Sequence, residues 1–230
     1  MKIQGFAFDL EGTVVNVEPA HHNAHFATAA EVGLEINSDN AFQLLPHFIG
    51  GPDIKVMEDI WALSQKKVSP GELLKRKQFH YEQLLATMDV APRRGFRHFF
   101  NTVVDLGLSV SIGSLTPMVQ ARVLLDRSGV GKVIGEANIV LAEHVQNHKP
   151  APDVFLETAR RMGINPTRQL VFEDSPRGVQ AAISAGSRAV GMPVYNRPEA
   201  TVPLIQAGVC RLFMEWDEIS VLPFLQNLAM

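Results

Sequence analysis

Apolar and polar positions along the chain switch repeatedly between two spacings. Short apolar runs stop on polar groups: Lys2 to Phe8 leads into Asp9, Glu11, Gly12 and Thr13; Leu108 to Gly113 into Ser114 and Thr116; Gln169 to Phe172 into Glu173 and Asp174. With Ser187 to Met192 and Cys210 to Phe213, these runs predict buried strands. Between them the spacing turns helical. Phe96, Phe99, Phe100, Val103 and Val104 recur at i, i+3, i+4, i+7 and i+8, and Val154, Phe155, Thr158, Ala159 and Met162 mark the inner face of a helix from Pro152 to Met162. Glu18-Pro19-Ala20-His21 opens a further helix, with Ala24, Ala27 and Val32 as its inner stripe up to Gly33. Residues 37–90 read as helical and more polar, broken at Gly50-Gly51-Pro52. Strands alternating with helices predict an α/β fold with a doubly wound, mostly parallel sheet.

The polar groups where strands stop are the candidates for chemistry, because ligands of open α/β sheets bind outside the carboxyl ends of the strands. If the extended conformation persists past Phe8, Asp9 and Glu11 leave the same face, and Gly12 allows a tight exit. One carboxylate as nucleophile or metal ligand beside another as proton carrier is a workable pair; an acidic, solvated turn is the alternative. Ser114 and Thr116 precede Pro117, which suits a helix start, so they are either plain caps or part of a phosphate site at free backbone N–H groups. Lys149 precedes Pro150 and is biased toward an extended backbone; His148 beside it reads as a surface residue. His21 and His25 share a helix face, but no further ligands complete a zinc motif. Lys75-Arg76-Lys77 reads first as a solvated basic face.

Four stretches, taken together and in order, resemble the haloacid dehalogenase superfamily of aspartyl-phosphate hydrolases. They are Asp9-x-Glu11-Gly12-Thr13, Ser114 after a strand, Lys149 in Lys-Pro-x-Pro-Asp, and Glu173-Asp174-Ser175-x-x-Gly178 followed by Ala181-Ala182 and Ala185-Gly186. The nearest subgroup contains β-phosphoglucomutase and related sugar-phosphate phosphatases. The resemblance implies a Rossmann-like core over residues 1–14 and 89–230 with a helical cap inserted at 15–88. It implies Asp9 as nucleophile, Glu11 as acid and base, and Ser114 and Lys149 on the transferring phosphoryl group. Thr13, His21, Lys77 and Thr116 would bind substrate, and Asp9, Glu11 (through its carbonyl), Glu173 and Asp174 would form the metal site. Three converging carboxylates would repel without a cation, and all-oxygen ligation suits Mg²⁺.

The chain departs from the family at three positions. Most relatives carry Asp where Glu11 stands, although the enolase-phosphatase branch has a similar Asp-x-Glu-Gly-Thr run; many carry Asn where Leu115 stands; and the mutases' cap arginine aligns with Asp53. The expected activity is therefore Mg²⁺-dependent hydrolysis of a small phosphorylated metabolite, with a phosphosugar mutase and a catalytically weakened ligand-binding relative as the alternatives. Glu11 argues against dehalogenase and phosphonate-hydrolase chemistry.

Composition narrows the partners. The 230 residues can bury one large or two small cores. A net charge of -3 gives no basic field for nucleic acid. No run approaches the roughly 20 apolar residues that span a bilayer, and no charged segment leads an apolar one at the amino terminus. A soluble, cytoplasmic monomer or weak homodimer is expected, with no membrane partner. Cys210 is the single cysteine, which excludes an intramolecular disulfide, and reads as a buried thiol.

Overall fold

A computed structural model of the chain describes residues 2–49, 51–65 and 68–229. Gly50, part of the expected helix break, lies outside the described residues. The chain divides into two compact units, one of Met1–Asn16 with Val90–Met230 and the other of Val17–Asp89.

The first unit is built on six parallel strands: β1 (Gly5–Phe8), β2 (Ser109–Gly113), β3 (Ile139–Val140), β4 (Gln169–Glu173), β5 (Arg188–Gly191) and β6 (Arg211–Leu212). They lie in the order β3-β2-β1-β4-β5-β6. In register, Phe6 faces Val110 of β2 and Leu170 of β4, and Phe8 faces Ile112 and Phe172. Strand order reverses between β1 and β4, so the crevice at their carboxyl ends is the topological switch point where such sheets bind ligands. The helices, numbered through the whole chain, are α1 (Glu18–Glu31), α2 (Ala41–Leu44), α3 (Asp53–Leu63) and α4 (Pro70–Thr87) in the second unit. The first unit carries α5 (Phe96–Asp105), α6 (Met118–Ser128), α7 (Val130–Ile134), α8 (Asp153–Met162), α9 (Pro176–Ser184), α10 (Pro198–Ala207) and α11 (Val221–Ala229).

Alternation along β1 divides the core. Phe6 and Phe8 point to one face and pack with Phe96 and Phe99 of α5, with Phe172 of β4 and with Trp216; Phe8 lies 5.5 Å from both Phe96 and Trp216 between ring centroids. Ala7 points to the other face, where Val171, Ala189, Val154, Phe155, Val179 and Ala182 complete a cluster of smaller side chains against α8 and α9. Both faces are covered, as a parallel sheet requires. Phe96, Phe99, Phe100 and Val103 are buried as their spacing predicts, but Val104 is 45% exposed, because the stripe rotates out of contact at its fifth member. The sequence pattern did not reveal β3, whose two residues are too few to show a period. Cys210 is half-buried rather than sealed in the core.

The second unit has its own core of Ala29, Ile36, Ala41, Leu45, Phe48, Val56, Met57, Ile60 and Leu73. The inner face of α1 is Ala20, Ala24, His25, Thr28 and Ala29 rather than the expected Ala24, Ala27 and Val32. Thr28 meets burial by donating to the Ala24 carbonyl at 2.8 Å. Among the described residues no helix is long and apolar enough to cross a membrane.

Candidate active site

Chemistry gathers at the switch point in the first unit. The extended backbone does not persist past Phe8: Leu10 enters a turn, Gly12 has φ +77°, and the loop closes through Val14 N to Leu10 O (3.0 Å) and Gly12 N to Val15 O (2.8 Å). Asp9 and Glu11 are thus set by a turn and not by strand alternation. Gly12 is required twice over. Its positive φ disfavours any side chain, and a Cβ there would fall well inside contact distance of the Asp174 carboxylate. Thr13 Oγ1 donates to Asp174 Oδ1 at 3.2 Å, which binds the loop after β1 to the end of β4.

Lys149 is the centre of the site. Its buried Nζ donates to Asp9 Oδ1 (2.6 Å), Glu173 Oε1 (2.5 Å) and the Gly113 carbonyl (3.1 Å), joining the ends of β1, β2 and β4 through one ammonium. The ordinary reading of a lone lysine, solvent exposure, does not hold. The Phe155 ring of α8 lies 5.0 Å from Nζ, and the Arg177 guanidinium donates to the Lys149 carbonyl. Burial by itself would lower the lysine's pKa, but the two carboxylates outweigh it and hold the ammonium above its ordinary range. Asp9 is pushed up to about 7 by burial, with Glu173 and Glu11 adding to the rise and Lys149 opposing it. Ser114 and Thr116 are buried just beyond β2, their hydroxyl oxygens 3.0 Å apart.

The two acidic residues ending β4 part company. Glu173 uses Oε1 for Lys149 and Oε2 for the Ser175 backbone N–H and hydroxyl, each at 2.9 Å. A Cβ at Gly178 would overlap this carboxylate, so the first turn of α9 carries glycine against it. Among the described residues no group of three or more His, Cys, Asp or Glu side chains is set to hold a metal ion. Of the expected set Asp9, Glu11, Glu173 and Asp174, Glu173 faces a lysine instead, so part of the carboxylate repulsion is relieved by Lys149. Asp9 and Asp174 offer oxygen donors only, the donor chemistry that a hard divalent cation takes.

In the second unit, the expected substrate residues His21 and Lys77 belong to a polar cluster inside the helices. Lys77 is fully buried, and its ammonium donates to Asp53 Oδ2 (2.6 Å) and to His21 Nδ1 (2.7 Å), 4.7 Å from the Tyr81 ring centroid. His25 donates from Nε2 to Asp53 Oδ1 at 3.0 Å. Burial lowers the His25 pKa. Burial would raise that of Asp53, but its His25 bond and the Lys77 charge hold it far below the carboxylate range. The solvated basic face is borne by Lys75, 81% exposed, and Arg76, not by Lys77. The signal was available: Leu73, Lys77, Tyr81 and Leu85 are four apart and are the buried residues of α4.

The family model described as haloacid dehalogenase-like hydrolase matches residues 3–186. The chain belongs to that family. As a haloacid dehalogenase-like hydrolase it is 32% identical over 193 residues to fructose-1-phosphate phosphatase YqaB of Escherichia coli (strain K12), covering 81% of this chain and 94% of that one. Over 220 residues it is 24% identical to the phosphorylated carbohydrates phosphatase of Thermotoga maritima, covering 96% and 98%. Its fold matches a crystal structure of a HAD hydrolase, family IA, variant 3, from Entamoeba histolytica with a TM-score of 0.82, at 20% identity and covering 99% and 100% of the chains. This haloacid dehalogenase-like hydrolase is a phosphatase.

Proposed function

We propose that the chain hydrolyses a small phosphorylated metabolite, a sugar phosphate, through an aspartyl phosphate on Asp9, with Mg²⁺ as cofactor. The observation that carries the reading is the Lys149 ammonium held between Asp9 and Glu173 at the switch point of the sheet. Lys149 engages Oδ1 of Asp9 and leaves Oδ2 to attack phosphorus in line, breaking the bond to the leaving oxygen. Glu11 gives that oxygen a proton, then takes one from the water that attacks the phosphoenzyme and frees phosphate and Asp9. Ser114, Thr116 and Lys149 offset charge on the equatorial oxygens, where positioning and electrostatics supply most of the rate. Glu173 orients Lys149. Asp9, Asp174 and the Glu11 carbonyl would hold Mg²⁺, which supplies charge neutralisation at the phosphoryl oxygens.

The sugar-phosphate class is supported by the names of the two phosphatase relatives. In this reading residues 17–89 are the cap, with His21 and Lys77 positioning the substrate. Hydrolysis is favoured over mutase chemistry by Asp53, which stands where the mutases carry an arginine and accepts bonds from Lys77 and His25. The test is hydrolysis of p-nitrophenyl phosphate and a panel of sugar phosphates, with chelator and after Mg²⁺ is restored. Metal-dependent turnover by the wild type and none by Asp9→Asn is expected. Full activity after rigorous metal removal, or in Asp9→Asn, would overturn the reading.

A further inference from the structure

Arg93 lies where the chain re-enters the first unit, and its buried guanidinium is surrounded by main-chain carbonyls. Nη1 donates to Gly12 O (2.6 Å) and Met192 O (2.7 Å), and Nη2 to Pro193 O (3.2 Å) and Met214 O; Nε lies 3.6 Å from the Glu215 carboxylate. The Arg93 backbone N–H donates to Val14 O at 2.7 Å. Four guanidinium N–H bonds are therefore directed at main-chain carbonyls and Nε is paired with the Glu215 carboxylate, in a planar fork that an ammonium cannot reproduce.

These partners are not scattered. Gly12 is the residue whose Cα lies against the Asp174 carboxylate, and its neighbour Thr13 donates to that carboxylate. The Met192 N–H donates to the Glu173 carbonyl at 2.7 Å. One nitrogen, Nη1, thus joins the loop that carries Glu11 and Thr13 to Met192 just past β5, and the Met192 N–H in turn holds the end of β4 that leads to Asp174. Trp216 braces the next peptide of the loop from the same side, its Nε1–H donating to Thr13 O at 3.1 Å.

We propose that Arg93 is a positioning residue for the phosphatase site: its guanidinium fixes the Gly12 peptide relative to the end of β4, with Trp216 as a second brace, and so sets the spacing of Asp9 and Glu11 from Asp174. Arg93 reaches no substrate atom in this account and acts through Gly12. The inference rests on the reading of Asp9, Glu11 and Asp174 given above.

The experiment compares wild type, Arg93→Lys and Trp216→Phe on p-nitrophenyl phosphate, each well below its own melting transition, with kcat and KM measured separately. A displacement of about 1 Å costs on the order of 10²-fold. Arg93→Lys should therefore lose roughly that factor in kcat with KM changed by less than about threefold, the pattern of a site that binds but is misaligned. Trp216→Phe keeps an aromatic ring against Phe8, Phe96, Phe99 and Phe172 while removing the N–H brace, at the cost of some packing and a lower Tm, so a smaller kcat loss with the same unchanged KM is expected below that Tm, and this variant decides the matter if Arg93→Lys does not fold. A tie that serves stability alone predicts a lowered Tm with wild-type kcat in the folded protein, and that result would overturn the proposal. An inactive wild type would instead refute the phosphatase mechanism, and the positioning role would fall with it.

Discussion

Replacing Lys149 by Met removes the ammonium that joins Asp9 to Glu173. Both carboxylate oxygens lie within 2.6 Å of the same nitrogen, so they are no more than about 5 Å apart, and both side chains are buried. Two unit charges at that separation repel by about 3 kcal/mol at an effective dielectric of about 20, which agrees with the ~3–5 kcal/mol cost of leaving a buried charge uncompensated. For a chain of this size that corresponds to a Tm loss of about 6–20 °C. The pH dependence identifies the cause. A carboxyl whose folded pKa is raised contributes a penalty that grows as pH rises from its unfolded value toward the folded one and is absent below both. Asp9 is already raised from 3.8 to about 7 in the wild type, and without Lys149 it rises further. The Lys149→Met deficit, measured by calorimetry on chelator-treated protein, should therefore be smallest below pH 7, where Asp9 is protonated in both folded proteins, and grow as pH rises above 7 toward the higher pKa of the variant. Adding Glu173→Gln should recover most of it by removing one of the two charges. A Tm within about 2 °C of wild type at pH 9, or a deficit independent of pH, would refute the electrostatic account of this triad.

Gly12→Ala should abolish turnover, because the methyl group would enter the space of the Asp174 carboxylate at a backbone φ of +77°; wild-type kcat in this variant would show that the loop can shift freely. Glu11→Gln should slow cleavage of a sugar phosphate by about 10²- to 10⁴-fold and of p-nitrophenyl phosphate much less, since phenolate leaves unprotonated; equal losses in rapid-quench experiments would remove Glu11 as the acid. Lys77→Met should raise KM for the best sugar phosphate with kcat much less altered, and an unchanged KM would confine Lys77 to holding the helices together. The depressed pKa of Asp53 contributes stability that is complete above its ordinary value of 3.8 and is lost as acid protonates it, so Lys77→Met should also flatten the acid limb of the stability curve; an unaltered limb would mean that His25 and His21 set the Asp53 charge without Lys77.

The fold was legible where a period had room to repeat. Phe6 and Phe8 on β1 and the four inward residues of α5 announce a sheet covered by a helix, and their aromatic rings do meet. Candidate chemistry was legible in part because strands end on polar groups: Asp9 and Glu173, named from their places in the chain, both lie within hydrogen-bond distance of Lys149, which the family resemblance singled out. What stayed hidden depends on the third dimension. The role of Glu173 follows from which way its carboxylate turns, although Ser175 and Gly178 nearby are the residues that receive and admit it. Lys77 was obscured by the two cations just before it in sequence, Lys75 and Arg76, which helical rotation carries toward solvent. Arg93 left no trace, because its partners are main-chain carbonyls at positions 12, 192, 193 and 214, and a carbonyl carries no residue identity.

The central claim is that phosphorus passes through a covalent bond to Asp9. It is tested most directly by the stereochemical course of hydrolysis of an isotopically chiral phosphate ester. Two in-line displacements, first by Asp9 and then by water, predict net retention of configuration at phosphorus. Net inversion would mean that water attacks the ester in a single step, and would contradict the account.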